Sequence, residues 1–157
     1  MSDKKLWSPT TTKNTLNLFT EYINDELKID NYAHLHRWSI EKKEIFWSKF
    51  WEFSNIIGEK QGIIFKDSEN FIETKFFEKS RLNYTENCLQ LNTNDEAIIY
   101  YNEQKHIKKI TWHDLKSNVF KIAYFFKTKN IKKYDRIAAV LPNIPETVQA
   151  FLACAQI

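Results

Sequence analysis

Residues 134–157, Tyr134-Asp135-Arg136-Ile137-Ala138-Ala139-Val140-Leu141-Pro142-Asn143-Ile144-Pro145-Glu146 and on through Phe151-Leu152-Ala153-Cys154-Ala155-Gln156-Ile157, constrain this chain more than any other stretch. The apolar run from Ile137 to Leu141 reads as a buried strand, and Pro142 cannot continue its ladder. Asn143 is a candidate helix cap. Pro145 and Glu146 suit a first helical turn, where a missing N–H costs nothing and a carboxylate meets the helix dipole. The sequence stops at Ile157 in an apolar helix with no Gly, Asn or Pro to end it. The expectation is a strand–turn–helix unit of an α/β sheet that continues beyond the last residue, with any chemistry lying there too.

Acidic and basic residues interleave almost everywhere and leave a formal charge of only +3, which excludes the concentrated basic stripe of a nucleic-acid binder. Hydrophobic content of 43% and aromatic content of 15% place the chain among folded rather than disordered proteins. Its 157 residues suffice for one domain, which at that size buries roughly 70% of its unfolded surface. Arg occurs only at positions 37, 81 and 136, so those three stand out as candidates for bidentate or buried pairing. Cys88 and Cys154 are far apart in sequence, and reduced, packed thiols are favoured over a disulfide or a catalytic thiol. No secretory leader pattern and no apolar run of membrane length occurs, so a cytoplasmic protein is expected. With only Gly58 and Gly62, the chain has no glycine-rich loop of the kind that cradles phosphates. Gly58-Glu59-Lys60-Gln61-Gly62 reads as a turn between a helix and a strand.

Leu16, Phe19, Ile23 and Leu27 recur at spacings of three and four and predict a helix from Thr15 to about Lys28. A second helix is expected from Ile40 to Ile57, capped by Ser39. Phe46, Trp47, Phe50, Trp51, Phe53 and Ile57 form its broad aromatic face, either a stacking platform for bases or a cofactor ring or, more favoured, a core surface. From Gly62 to Asn94 short runs such as Ile63-Ile64-Phe65 and Phe76-Phe77 alternate with polar turns and predict an extended segment. The turn cluster Asn92-Thr93-Asn94-Asp95 marks the expected domain boundary, dividing residues 1–92 from residues 93–157. Beyond it, Ala97–Tyr101 and Ile107–Trp112 flank the polar Asn102-Glu103-Gln104-Lys105 as a hairpin. Thr111 is the cap of the next helix, with Asp114 as capping-box partner. Leu115, Val119, Ile122, Ala123 and Phe126 form its apolar stripe, and Asn130 ends it. Strand, helix, parallel strand, helix is the order of a right-handed α/β crossover.

His34 and His36 alternate as metal ligands sometimes do, but no third ligand sits at a supporting spacing, and a structural role is favoured. His113 and Asp114 are better explained by capping than by catalysis. The lysines from Lys127 to Lys133 read as a solvated helix end. Arg81-Leu82-Asn83-Tyr84-Thr85-Glu86-Asn87 is the densest polar group around an arginine and reads as a buried hydrogen-bond network. No nucleophile–base pair, acid–base carboxylate pair or cofactor fingerprint emerges.

These same residues carry a resemblance. Tyr134-Asp135-Arg136-Ile137, Leu141-Pro142-Asn143-Ile144-Pro145-Glu146 and Leu152-Ala153-Cys154-Ala155 resemble the early strand–helix unit of the acyl-CoA synthetases, the acyl-adenylate-forming ligases. Residues Arg81 to Asn87 resemble the Leu-Asn-(aromatic)-x-Glu-Asn motif of their short-chain branch. Leu6-Trp7-x-Pro9 and Tyr32-Ala33-x-Leu35-His36-Arg37-Trp38-Ser39, with Phe46-Trp47, are similar to the opening of the acetoacetate-using members. The resemblance runs from Leu6 to Ile157. Tyr134 and Asn130 stand where the family commonly has Gly, both at turns.

The resemblance implies an α/β fold: a helical and extended leading segment over residues 1–92, then the first hairpin and βαβα unit of an AMP-binding domain over residues 93–157, incomplete. It implies a parent that joins acetoacetate to coenzyme A through an acyl-adenylate, using ATP and Mg, with an acetate- or propionate-using parent as the alternative. The phosphate loop, nucleotide-binding residues and lysine that such chemistry needs are absent from residues 1–157, so no catalytic, cofactor-binding or metal residue is assigned here. The expected partners are the rest of the same polypeptide and, for the parent, a small carboxylate, ATP and CoA, with no nucleic acid and no membrane. Taken alone the chain is expected to be inactive, poorly soluble or oligomeric. The competing class is a stand-alone binding or interaction module, drawn from the excess of Lys and the aromatic supply.

Overall fold

The computed structural model describes residues 14–105 and 107–157, which form two compact units. Leu6-Trp7-x-Pro9 lies outside the described residues.

The first unit takes in residues 14–56 and 60–80. Helix α1 (Thr15–Leu27) starts where the Asn14 side chain accepts the Asn17 N–H at 2.9 Å, and stops at Lys28, which turns left-handed at φ 47°. The single helix expected from Ile40 to Ile57 is instead two, α2 (Tyr32–Glu41) and α3 (Lys43–Phe53), hinged at Lys42 with φ −119° and ψ 49°. Ser39 therefore sits inside α2 and donates to the His36 carbonyl at 2.8 Å; it is not a cap. The break lets both helices fold onto α1. Phe19, Ile23, Ile29 and Leu35 are buried, with Trp38, Phe46 and Phe53 packed around them. Phe19 meets Phe46 and Phe53 edge-on at 5.9 and 5.1 Å, contacts of about 0.5–1.5 kcal/mol each beyond area burial.

The aromatic face of α3 is thus divided between partners. Phe46 and Phe53 face α1, while Trp47 and Trp51 lie 5.2 and 4.8 Å from Phe76 and Phe77. The extended stretch after Gly62 makes a short antiparallel pair, β2 (Phe65–Lys66) with β3 (Lys75–Phe76).

The second unit is Ile57–Glu59 with Arg81–Ile157. Strands β1 (Gly58–Glu59) and β4 (Arg81–Leu82) pair antiparallel. Gly58 is required there: a Cβ on it would stand 2.6 Å from the Arg81 carbonyl oxygen. A short helix α4 (Tyr84–Cys88) follows, then the hairpin β5 (Glu96–Tyr101) and β6 (Ile107–Thr111), with an irregularity between Glu96 and Ile98. Helix α5 (Trp112–Thr128) begins as its sequence dictates. The Thr111 hydroxyl accepts the Asp114 N–H at 3.1 Å and donates to the Asp114 carboxylate at 2.9 Å. Asn130, just past its end, adopts φ 59°. The turn at Asn92–Asp95 packs onto the start of α5, where Trp112 and His113 donate to the Asp95 and Thr93 carbonyls. That turn lies inside the second compact unit, which reaches back to Arg81.

Helix α6 (Pro145–Gln156) crosses α5, and Leu89, Ile110, Leu115, Val119, Ala123, Leu152 and Ala153 close the core between them. Its cap position is Ile144, not Asn143, and no side chain caps it. Pro142 and Pro145 fix this entry, and the Thr147 hydroxyl donates back to the Pro142 carbonyl at 2.7 Å. The expected strand Ile137–Leu141 is no strand among the described residues. It pairs with none of the strands present, and Ile137, Val140 and Leu141 are 41%, 103% and 46% exposed. An extended segment without a neighbour has no ladder to join.

Candidate functional site

The polar group predicted between Arg81 and Asn87 is a hydrogen-bond hub around α4. Asn83 caps α4 by accepting the Glu86 N–H at 2.9 Å, and its amide donates to the Gln156 carbonyl at 3.2 Å. Thr85, fully buried, donates to the Leu152 carbonyl at 2.6 Å. Asn87 accepts the Ile57 N–H and donates to the Ile57 carbonyl, both at 2.8 Å, and also donates to the Asn83 carbonyl at 2.9 Å. Three side chains on one turn of helix thereby tie α6 and the chain just before β1 to a single point. Arg81 is not part of the hub; it sits exposed in β4.

Beside the hub lies an open cleft of about 430 Å³, bordered by Asn83, Tyr84, Lys133, Tyr134, Cys154 and Ile157. Its groups are poorly suited to nucleophilic work. A hydrogen bond with the Cys88 thiol holds the Tyr84 phenol above its ordinary range, and burial pushes the Cys154 thiol up. Both stay protonated at neutral pH, and neither has a base beside it. Cys88 and Cys154 are free thiols, as expected. Tyr134 takes φ 78°, 89% exposed, with the Lys133 ammonium 5.3 Å from its ring centre.

The remaining sequence candidates are scattered. His34 lies 3.5 Å from the Asp30 carboxylate, and His36 stacks on Tyr32 at 6.1 Å. No group of three metal-binding side chains occurs among the described residues. His113 faces the Asn92 side-chain oxygen at 3.2 Å, and Asp114 serves the cap of α5. Glu146, in the first turn of α6, pairs with Lys108 of β6, which holds its carboxyl below the usual range. Glu52 is likewise lowered by its hydrogen bond from Lys60. No helix among the described residues is long and apolar enough to cross a membrane.

What sequence reasoning missed is where the hub points. Ile57, Leu152 and Gln156 contribute only backbone groups, and no side-chain pattern announces a backbone partner.

A model described as AMP-binding enzyme matches residues 85–157, starting inside the hub. An acetoacetyl-CoA synthetase of Xenopus tropicalis is 35% identical over 164 aligned positions, covering 100% of this chain and 24% of that protein. One from Rhizobium meliloti (strain 1021) is 32% identical over 81% of this chain and 20% of its own length. An acetyl-coenzyme A synthetase of Alkalilimnicola ehrlichii is 33% identical over 87% of this chain and 22% of its own length. Among solved structures, the acetoacetyl-CoA synthetase from Streptomyces lividans superimposes with a TM-score of 0.79 at 25% identity, covering 92% of this chain and 23% of that one. The chain thus spans about a quarter of the length of these relatives.

Proposed function

We propose, for a chain that belongs to the acyl-CoA synthetases as the amino-terminal part of one, that the parent enzyme is an acetoacetate–CoA ligase. Its reaction is then ATP, acetoacetate and CoA to acetoacetyl-CoA, AMP and pyrophosphate, with Mg accompanying the nucleotide. The observation that carries this reading is end-to-end similarity at 32–35% identity to several acetoacetyl-CoA synthetases, including the stretch from Tyr32 to Ser39.

In this reading residues 1–92 are the leading segment and residues 93–157 begin the AMP-binding domain. The quarter in hand is scaffold. The hub holds α6 against α4, while the core around Val119 packs α6 on α5. Adenylation needs preorganised charge around the phosphates, and no glycine-rich loop occurs in residues 1–157 to supply it. Residues 1–157 by themselves therefore catalyse no ATP–pyrophosphate exchange. The rest of the polypeptide is the main partner, and the cytoplasm is the setting that goes with a soluble acid, ATP and CoA.

The test is to express the complete gene product and measure AMP release with acetoacetate, acetate and propionate in turn. Preference for acetoacetate by at least about tenfold in kcat/KM, or about 1.4 kcal/mol, supports the reading. A preference for acetate or propionate moves the parent to the neighbouring branch, which the 33% identity to an acetyl-coenzyme A synthetase keeps in view. A gene that ends at codon 157, together with a cooperatively folding monomer, would return the chain to the class of binding modules.

A further inference from the structure

The lysines around the end of α5 have no role in the reading above. Acidic and basic residues interleave through most of the chain, yet the twenty residues from Leu115 to Tyr134 hold six lysines and no carboxylate. Lys116 lines a cleft together with Glu86. The other five, Lys121, Lys127, Lys129, Lys132 and Lys133, are exposed, and none pairs with a carboxylate among the described residues. Asp135, the next acid along the chain, accepts the backbone N–H of Lys132 at 2.9 Å. Aromatic side chains share this surface. Leu115, Val119 and Ala123 turn one side of α5 to the core. Phe120, Lys121, Tyr124 and Phe125 fall on the opposite side by helical spacing. Phe120, Tyr124 and Phe125 are 45%, 72% and 54% exposed there, and Tyr134 in the loop beyond is 89% exposed. The outer side of such a helix is ordinarily charged or polar; this one mixes cations with large bare rings.

We propose that the outer side of α5, with the loop through Tyr134, docks on an anionic phospholipid surface. The charges are complementary, and each lysine held near such a surface strengthens binding about fivefold. The rings suit the same place: aromatic side chains and lysine stems reach the boundary between headgroups and acyl chains while their polar ends stay among the headgroups. Nucleic acid is the competing polyanion, and the geometry argues against it. The Lys129 ammonium stands over the Phe125 ring at 5.6 Å, and that of Lys133 over the Tyr134 ring at 5.3 Å, each taking a ring face on which a base would stack. Arginine, whose planar fork suits phosphate recognition, does not occur between Leu115 and Tyr134. The expectation of no membrane partner rests on the lack of a spanning run, and a contact at the surface needs none. This inference goes beyond the ligase reading and does not depend on which acid the parent uses.

The test sediments the complete gene product, without substrates, with sucrose-loaded vesicles. These contain phosphatidylcholine alone or with about one third phosphatidylserine, in about 0.1 M salt. Partitioning onto the phosphatidylserine vesicles is expected to exceed that onto phosphatidylcholine by at least about tenfold and to fall as salt rises. Lys129→Gln, Lys132→Gln and Lys133→Gln together should weaken it roughly a hundredfold, at about fivefold each. Lys66→Gln, Lys75→Gln and Lys79→Gln remove the same charge from exposed positions of the first unit, and together should weaken it less than about threefold. Equal partitioning onto both kinds of vesicle, or onto neither, overturns the proposal. So do equal losses in the two triple variants, which would make net charge the cause. A single-stranded oligonucleotide that strips the protein from the vesicles at equal phosphate concentration overturns it in favour of nucleic acid. Should the first triple variant fail to fold, Lys133→Gln alone, with its expected loss of about fivefold, decides.

Discussion

Thr85→Val is the sharpest test of the hub. Valine keeps the shape of threonine and removes only the hydroxyl, which in the native protein is fully buried and donates to the Leu152 carbonyl at 2.6 Å. A buried hydrogen bond of this kind nets about 0.5–1.5 kcal/mol, and an acceptor left short of a partner in the interior adds to the loss. The Leu152 carbonyl lies within α6, so a helical acceptor role remains to it and the penalty is partial. A cost of about 1–2 kcal/mol follows, or about 2–8 °C in midpoint temperature for a chain of this size. Thr85→Ser is the companion: it retains the hydroxyl and deletes one buried methyl, worth about 0.8 kcal/mol. Urea unfolding followed through Trp112, which packs against the core of the second unit, reads both variants. The slope with denaturant should not change, so that a lower midpoint means lower stability. If Thr85→Val unfolds at the wild-type midpoint while Thr85→Ser does not, packing holds α4 to α6 and the hydrogen-bond hub is an ornament of the fold.

Three further outcomes are expected. Gly58→Ala forces a Cβ to within 2.6 Å of the Arg81 carbonyl, so the β1–β4 pair must part; faster amide exchange at Leu82 with little change at Val119 is the sign. Tyr134→Asn relieves an aromatic residue held at φ 78°, a conformation costing roughly 1–2 kcal/mol for most side chains, and should raise the thermal midpoint by about 1–4 °C; a fall would mean that the Lys133 contact outweighs the strain. Glu146 has its carboxyl lowered by Lys108, so the pair stabilises above the unfolded pKa and that stability disappears as pH falls through the lowered value. Both side chains are nearly half exposed, so the effect is a few tenths of a kcal/mol, abolished in Lys108→Met and weakened by salt; a Lys108→Met profile that matches wild type below pH 5 and above it would contradict this.

Much of this fold is legible in single residues. The spacing of Leu16, Phe19, Ile23 and Leu27 and the cap at Thr111 announce α1 and α5 because both depend on neighbours a turn away. The hairpin is legible for the same reason. The hinge at Lys42 is not, since no Gly or Pro marks it; it brings the Trp38 and Phe46 rings to 5.8 Å, where one straight helix would set residues eight apart about 12 Å along its axis. Ile137–Leu141 has every local mark of a strand, yet a strand is a relation between two segments and its partner is not among the described residues. The candidate site divides the same way. Its polar side chains, Asn83, Thr85 and Asn87, are visible in sequence. Their long-range partners, the backbone groups of Ile57, Leu152 and Gln156, lie 30 to 73 positions away, and only the fold brings them near.

The bare run at Ile137–Leu141 also bears on how the protein is made. In a polypeptide of relatives' length, about three quarters remains to be synthesised when these residues are complete. At about 5–20 residues per second that is on the order of half a minute or more. Everything around the run closes early, because α4, the hairpin, α5 and α6 need only one another. A nascent chain of that length therefore carries a folded second unit with one apolar ribbon still bare, Val140 outermost, while the remainder is made. In a polypeptide of relatives' length, slower translation after these residues lengthens that wait, during which an exposed apolar ribbon is open to chaperones and to aggregation.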